Sequence, residues 1–140
     1  MSPGRGRFIA FEGGEGAGKS TQARLLAEAL QARGLTVITT REPGGTPGAE
    51  AIRALLLAPP GEAGWTPEAE ALLFAAARAD HVAHLIRPAL ARGQWVVCDR
   101  FVDSSRAYQG GAGGLGDAAI TALHAFGSNG LRPDRVILLE

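Results

Sequence analysis

The chain has 140 residues, 46% of them hydrophobic and 20% charged, enough for one domain with a real core and too little for two. Fourteen basic residues balance fourteen acidic ones, which argues against nucleic acid or an anionic membrane as a partner held by broad electrostatics. No apolar run reaches the roughly 20 residues of a membrane span, and the start of the sequence lacks the apolar stretch of a signal peptide, so a reducing cytoplasm is the expected location.

Residues 7–11, Arg-Phe-Ile-Ala-Phe, read as a short apolar strand closed by Glu12 and glycines. From Lys19 onward, Ala23, Leu26, Ala27 and Leu30 recur at helical spacing, and Gly34 is the expected stop. Residues 36–40 are rich in β-branched side chains and predict a second strand, followed by a Gly/Pro loop over 42–48 and a short helix over 49–57. After the turn at Pro59-Pro60-Gly61, Thr66 and Pro67 supply the N-cap and first position of a long helix whose end Pro88 should kink. Residues 95–98 predict a third strand, in which the lone Cys98 reads as a small buried thiol. The five glycines within residues 110–116 predict a flexible loop, then a helix over 118–126 and a fourth strand over 135–139. Strands alternating with helices imply an α/β fold, a parallel sheet covered on both faces, with ligands expected at the carboxyl ends of the strands.

Gly13-Gly14-Glu15-Gly16-Ala17-Gly18-Lys19-Ser20 matches G-x-x-x-x-G-K-[ST] in full, between a predicted strand and a predicted helix. Small residues let backbone N–H groups approach phosphate oxygens, and the helix N-terminus adds positive potential. In this pattern Lys19 reaches the β- and γ-phosphates of ATP and the Ser20 hydroxyl holds Mg²⁺. Thirteen of the fourteen cations are arginine, and Lys19 is the one lysine, which suggests that this position requires a slim point charge. Glu15 is the odd member, because a carboxylate beside a triphosphate is repelled. Either it points to solvent or it serves a second ligand, and the second reading is preferred.

With a single lysine there is no N-K-x-D motif, and no D-x-x-G switch follows a strand, so a GTPase is not indicated. Arg41 and Arg100 each follow a predicted strand, beside Glu42 and Asp99. They are either surface ion pairs or a bidentate clamp for a second phosphate, which suits a kinase whose acceptor is itself a phosphate. Phe74 serves equally well as a core residue. Asp80, His81 and His84 resemble a metal cluster, but their helical setting reads as a solvated face, and His124 carries no usable signal.

Four blocks together resemble the thymidylate kinase family: Phe11-Glu12-Gly13 through Lys19-Ser20-Thr21; Thr40-Arg41-Glu42-Pro43-Gly44-Gly45; Leu72-Leu73-Phe74-Ala75-Ala76-Ala77-Arg78; and Asp99-Arg100-Phe101-Val102-Asp103-Ser104-Ser105-Arg106-Ala107-Tyr108-Gln109-Gly110. The resemblance implies the P-loop nucleoside monophosphate kinase fold in one domain over residues 1–140. It also implies phosphoryl transfer from ATP to dTMP with Mg²⁺, a step of dTTP biosynthesis. Residues 13–21 would then hold ATP, Arg41 and Arg100 the dTMP phosphate, and Ser20 and Asp99 the metal, with Lys19, Arg41, Asp99 and Arg100 as the catalytic set. Phe74 would stack on thymine, Arg78 would hydrogen-bond the base, and Gln109 would face it. Tyr108 would pack on the deoxyribose, Glu15 would hold its 3′-hydroxyl, and Ser104 would lie close to the P-loop. A homodimer packed through long helices is also implied.

Two departures qualify the resemblance. Some members carry an arginine inside the P-loop, where Gly16 and Ala17 stand here, and members of the glycine type supply arginines from a mobile lid instead. The sequence ends at Glu140, before the lid, the adenine-contacting segment and the final strand that the family leads one to expect, so an incomplete C-terminus and an open edge at the fourth strand are expected. Gly113 also stands where many relatives carry arginine. A nucleotide-binding module without catalytic power and a kinase for another monophosphate, dUMP or AMP, are the competing readings.

Overall fold

A computed structural model describes residues 4–140; residues 1–3 of the expected domain lie outside the described residues. Four parallel strands, β1 (Phe8–Glu12), β2 (Val37–Arg41), β3 (Trp95–Asp99) and β4 (Arg135–Leu138), lie in the order β2-β3-β1-β4. β1 is buried along its whole length and splits its side chains between two cores. Phe8 and Ala10 join Val96, Cys98 and Ile86 on one face, while Ile9 and Phe11 join Val97 and Val37 against Ala23 and Ala27 of α1 (Lys19–Ala32) on the other. Near-continuous apolar strands are what a sheet covered on both faces requires. β4 stands at the edge, with only Ile137 half-buried.

α1 ends as the sequence predicts. The Gly34 N–H donates to the Gln31 carbonyl and the Leu35 N–H to the Leu30 carbonyl, a Schellman closure that needs the positive φ of Gly34, 88°. Thr46 and Thr66 cap α2 (Pro47–Leu57) and α3 (Pro67–His81), each hydroxyl accepting from the N–H three residues on, with proline at the first helical position. α3 then widens into a π turn over Val82–Ile86 before α4 (Arg87–Ala91). Pro88 has no N–H to offer and its ring would meet the carbonyl four residues back, so the wider turn absorbs the misfit that the sequence registers as a kink.

The glycine-rich segment departs from its expected form. α5 (Val102–Ser105) runs directly into a second π turn, Arg106–Ala112, so Gly110 and Gly111 are helical and the loop is confined to the residues before α6 (Asp117–Ser128). Gly110 is buried, and a Cβ there would press on Ile120 and on the Gly116 carbonyl. Close packing, and not flexibility, is what its glycine serves. Phe101, fully buried, meets Phe8 edge-on at 4.9 Å and His124 at 5.6 Å, tying α5 and α6 to the sheet.

Candidate active site

The carboxyl ends of β1, β2 and β3 open into a cleft of about 780 Å³. One end is the loop between β1 and α1. Gly13 has φ 142°, and a Cβ there would collide with the Leu139 carbonyl, so the chain can leave β1 only through glycine. α1 has Gly18 at its N-cap, with no side-chain cap and no acidic residue in its first turn, which leaves its first N–H groups free for an anion. Lys19 is only 7% exposed and its Nζ donates to the Gly14 carbonyl at 2.9 Å, folded back over the loop. Glu15, Gly16, Gly18, Lys19 and Ser20 line the cleft, whereas Gly13, Gly14, Ala17 and Thr21 do not.

Arg100 leaves β3 with φ 72°, in the left-handed region that bulky residues avoid, and its N–H donates to the Phe11 carbonyl. That twist carries its side chain into the cleft. Nη1 donates to Ser104 Oγ at 3.2 Å, Nη2 reaches Glu15 Oε1 at 3.3 Å, and the guanidinium lies 5.4 Å from the centre of the Tyr108 ring. The Glu15 side chain is 97% exposed, so its pairing with Arg100 stands in water and contributes little stability. Glu12, buried at the end of β1, accepts from the Phe101 N–H at 2.9 Å and from the Ser104 hydroxyl. Burial pushes its carboxyl above the usual range, and the Ser104 and Phe101 donors only partly offset this.

Arg41, at the end of β2, also lines the cleft and pairs with Glu50 at 3.0 Å. The Gly45 N–H and, after it, the Arg41 guanidinium hold the Glu50 carboxyl below its ordinary value. Asp99 faces the same space, and its Oδ1 is buried with no partner among the described residues. Together Ser20 and Asp99 offer two oxygen donors, one of them unsatisfied, which suits a hard cation that takes its remaining ligands from phosphate and water. Gln109 is buried with Oε1 likewise unpartnered.

Phe74 belongs to neither core cluster and lies half-buried in the cleft lining. Arg78 is buried beside it. Its Nε donates to Glu42 Oε1 at 2.6 Å and its Nη2 to Ser105 Oγ at 2.9 Å. His81 is the clear correction to the sequence reading. It is 0% exposed and sits between Glu42 Oε2 and Thr40 Oγ1, each at 2.7 Å, while only His84 of the group faces solvent. Arg53 was also missed: it lines the cleft and donates to the Pro43 carbonyl at 2.8 Å. Its signal was its place on α2 one turn from Glu50, which itself faces Arg41.

A P-loop at the head of a parallel sheet, with a cleft at the strand ends, defines a P-loop nucleotide-binding α/β protein. The family model for thymidylate kinase matches residues 11–140. The chain is 69% identical over 135 residues to a thymidylate kinase of Rhizorhabdus wittichii and 59% identical over 136 residues to one of Rhodopseudomonas palustris. Those alignments take in 96% and 97% of this chain but 64% and 59% of the relatives, so the chain spans about three fifths of their length. The crystal structure of a thymidylate kinase from Ehrlichia chaffeensis superposes with a TM-score of 0.89 at 40% identity, covering 99% of this chain and 72% of that one. The chain belongs to the thymidylate kinase family.

Proposed function

We propose that this chain forms the nucleotide-binding body of an enzyme that transfers a phosphoryl group from ATP to dTMP, giving ADP and dTDP. The observation that carries the reading is that one cleft is lined both by Lys19 of the P-loop and by Arg41 and Arg100 at the ends of β2 and β3. A single triphosphate needs only the lysine; the arginines suit an acceptor that brings its own phosphate.

Little covalent chemistry is asked of the protein, so positioning and charge neutralisation do most of the work. Residues 13–21 hold the ATP phosphates, and Lys19 exchanges the Gly14 carbonyl for phosphate oxygens. Arg100 exchanges the exposed Glu15 carboxylate for the acceptor phosphate, and Arg41 approaches it from β2. Ser20 and Asp99 would hold Mg²⁺, an assignment supported by the orphaned Asp99 Oδ1. When bound there, it would supply charge neutralisation on the phosphate oxygens. Phe74 stacks on the thymine, Arg78 and Gln109 meet its polar edge, Tyr108 packs on the deoxyribose and Glu15 takes the 3′-hydroxyl, with Ser104 holding Arg100. The unpartnered Gln109 Oε1 supports a polar ligand on that side.

A coupled ADP-release assay with ATP, Mg²⁺ and a panel of dTMP, dUMP and AMP tests the reading. Turnover that depends on dTMP is expected. Binding without dTMP-dependent turnover overturns the enzyme, and preference for a ribonucleotide overturns the role given to Tyr108. A helix-packed homodimer in the cytoplasm completes the proposal, supported by exposed Leu72 on α3 and Phe126 on α6; a monomer mass in light scattering overturns the dimer. No helix among the described residues is long and apolar enough to cross a membrane.

A further inference from the structure

We propose that His81 is a positioning residue, fixing the Glu42 carboxylate so that it aims the Arg78 guanidinium at the acceptor base; this rests on the reading of Arg78 given above. The two oxygens of Glu42 are divided between two partners on α3, Oε1 to Arg78 Nε and Oε2 to His81 Nδ1. A carboxylate held by one partner still swings about its last torsion, and a second partner on the other oxygen removes that freedom. Arg78 and His81 are three residues apart on one helix face, so the carboxylate bridges adjacent turns of α3.

The ring of His81 is committed at both ends. Glu42 accepts from Arg78 and accepts again from Nδ1–H, which in the neutral ring leaves Nε2 to accept from the Thr40 hydroxyl of β2. Gly45 closes over the ring: with φ 98° and no Cβ, it lies where any side chain would collide with His81 and with Thr40 Oγ1. Through His81, then, β2 and the loop after it set the orientation of a residue on α3. Beyond Glu42, Arg78 Nη2 is fixed by Ser105 Oγ and lies 3.4 Å from the Phe101 carbonyl. That leaves Nη1 without a hydrogen-bond partner among the described residues, on a side chain that lines the cleft. A His81 that only filled space would need neither nitrogen placed.

Two amide substitutions separate these roles, because they copy one ring nitrogen each. His81→Asn places an N–H near Nδ1 and keeps the Glu42 bond; His81→Gln places its amide near Nε2 and keeps only Thr40. In the ADP-release assay, His81→Gln is expected to raise KM for dTMP about tenfold or more with KM for ATP unchanged, while His81→Asn stays within about threefold of the unsubstituted protein. In parallel, ¹H–¹⁵N NMR follows the Arg78 Nε–H, assigned by its loss in Arg78→Met. It should be sharp and slow to exchange in the unsubstituted protein and His81→Asn, and broadened in His81→Gln. Equal behaviour of the two variants, in KM or in the Nε–H signal, overturns the proposal. If the unsubstituted protein turns over no dTMP, the functional reading fails while the NMR comparison still decides what His81 positions.

Discussion

Arg100 carries a long side chain on a backbone of φ 72°, so its backbone and its guanidinium can be tested separately by comparing Arg100→Ala with Arg100→Gly. Both variants lose the Ser104 bond, the contact with Tyr108 and the exposed Glu15 pairing. They differ only in the backbone. Alanine keeps the left-handed cost of about 1–2 kcal/mol, which glycine does not bear. Glycine loses about 0.4–1 kcal/mol through the greater freedom of its unfolded chain. The glycine variant should therefore be the more stable by about 0.5–1 kcal/mol, the reverse of the order in a regular helix or strand. With a urea slope of about 2 kcal/mol per M, the midpoints should differ by about 0.3–0.5 M. Turnover should fall alike in both. If Arg100 holds the acceptor phosphate as proposed, losing two charge-assisted hydrogen bonds, at about 1.5–3 kcal/mol each, should lower kcat/KM for dTMP by about 10²–10⁴-fold. An alanine variant as stable as the glycine variant would refute the strain argument. Turnover within tenfold of the unsubstituted protein in both would remove Arg100 from the acceptor site.

Lys19→Ala should lower kcat by about 10²–10³-fold and abolish the rise in melting temperature given by ATP, with the ligand-free melting temperature little changed; retained ATP stabilisation would count against the P-loop assignment. Phe101→Ala removes a fully buried ring wedged between Phe8 and His124 and should cost about 3–5 kcal/mol in denaturant unfolding. Burial pushes the His124 imidazole below its ordinary 6.5, with the Leu131 carbonyl at 2.6 Å only partly restoring it. Above pH 6.5 both folded and unfolded forms are neutral, and as pH falls through 6.5 the unfolded form takes the proton first, so this stability is lost towards the lowered folded value. Melting temperature should accordingly fall between pH 7.5 and 5.5, and His124→Phe should flatten that slope; an unchanged slope assigns it to other groups.

The parts of the site that were legible in the sequence are those whose signals are local. The glycines around Lys19 and the arginines that follow β2 and β3 carry their context in the neighbouring residues, so a strand end and a helix start place them. Phe74 stayed ambiguous because helical spacing says which residues share a face and not what that face meets. The same gap hid His81. Ala77, Arg78, His81 and Val82 form one buried stripe, yet Asp80 and His84 alongside made the segment read as polar, and only the loop packed over it at Gly45 decides. Glu42 read as a companion of Arg41, whereas its partners sit 36 and 39 residues away on α3. Gly110 and Gly111 read as loop because glycine marks both freedom and close approach, and the π turn after α5 uses the second.

Lys19, the one lysine of the chain, lies folded against the Gly14 carbonyl at the mouth of the P-loop. Among the side chains of residues 1–140, reagents that acylate amines therefore have one target, the residue proposed above as the phosphate anchor. On that proposal, labelling yield at Lys19 becomes a footprint of the loop and should fall when phosphates cover the ammonium. Coupling this chain to a surface through its lysine amine would block the site under measurement, so immobilisation belongs elsewhere on the molecule.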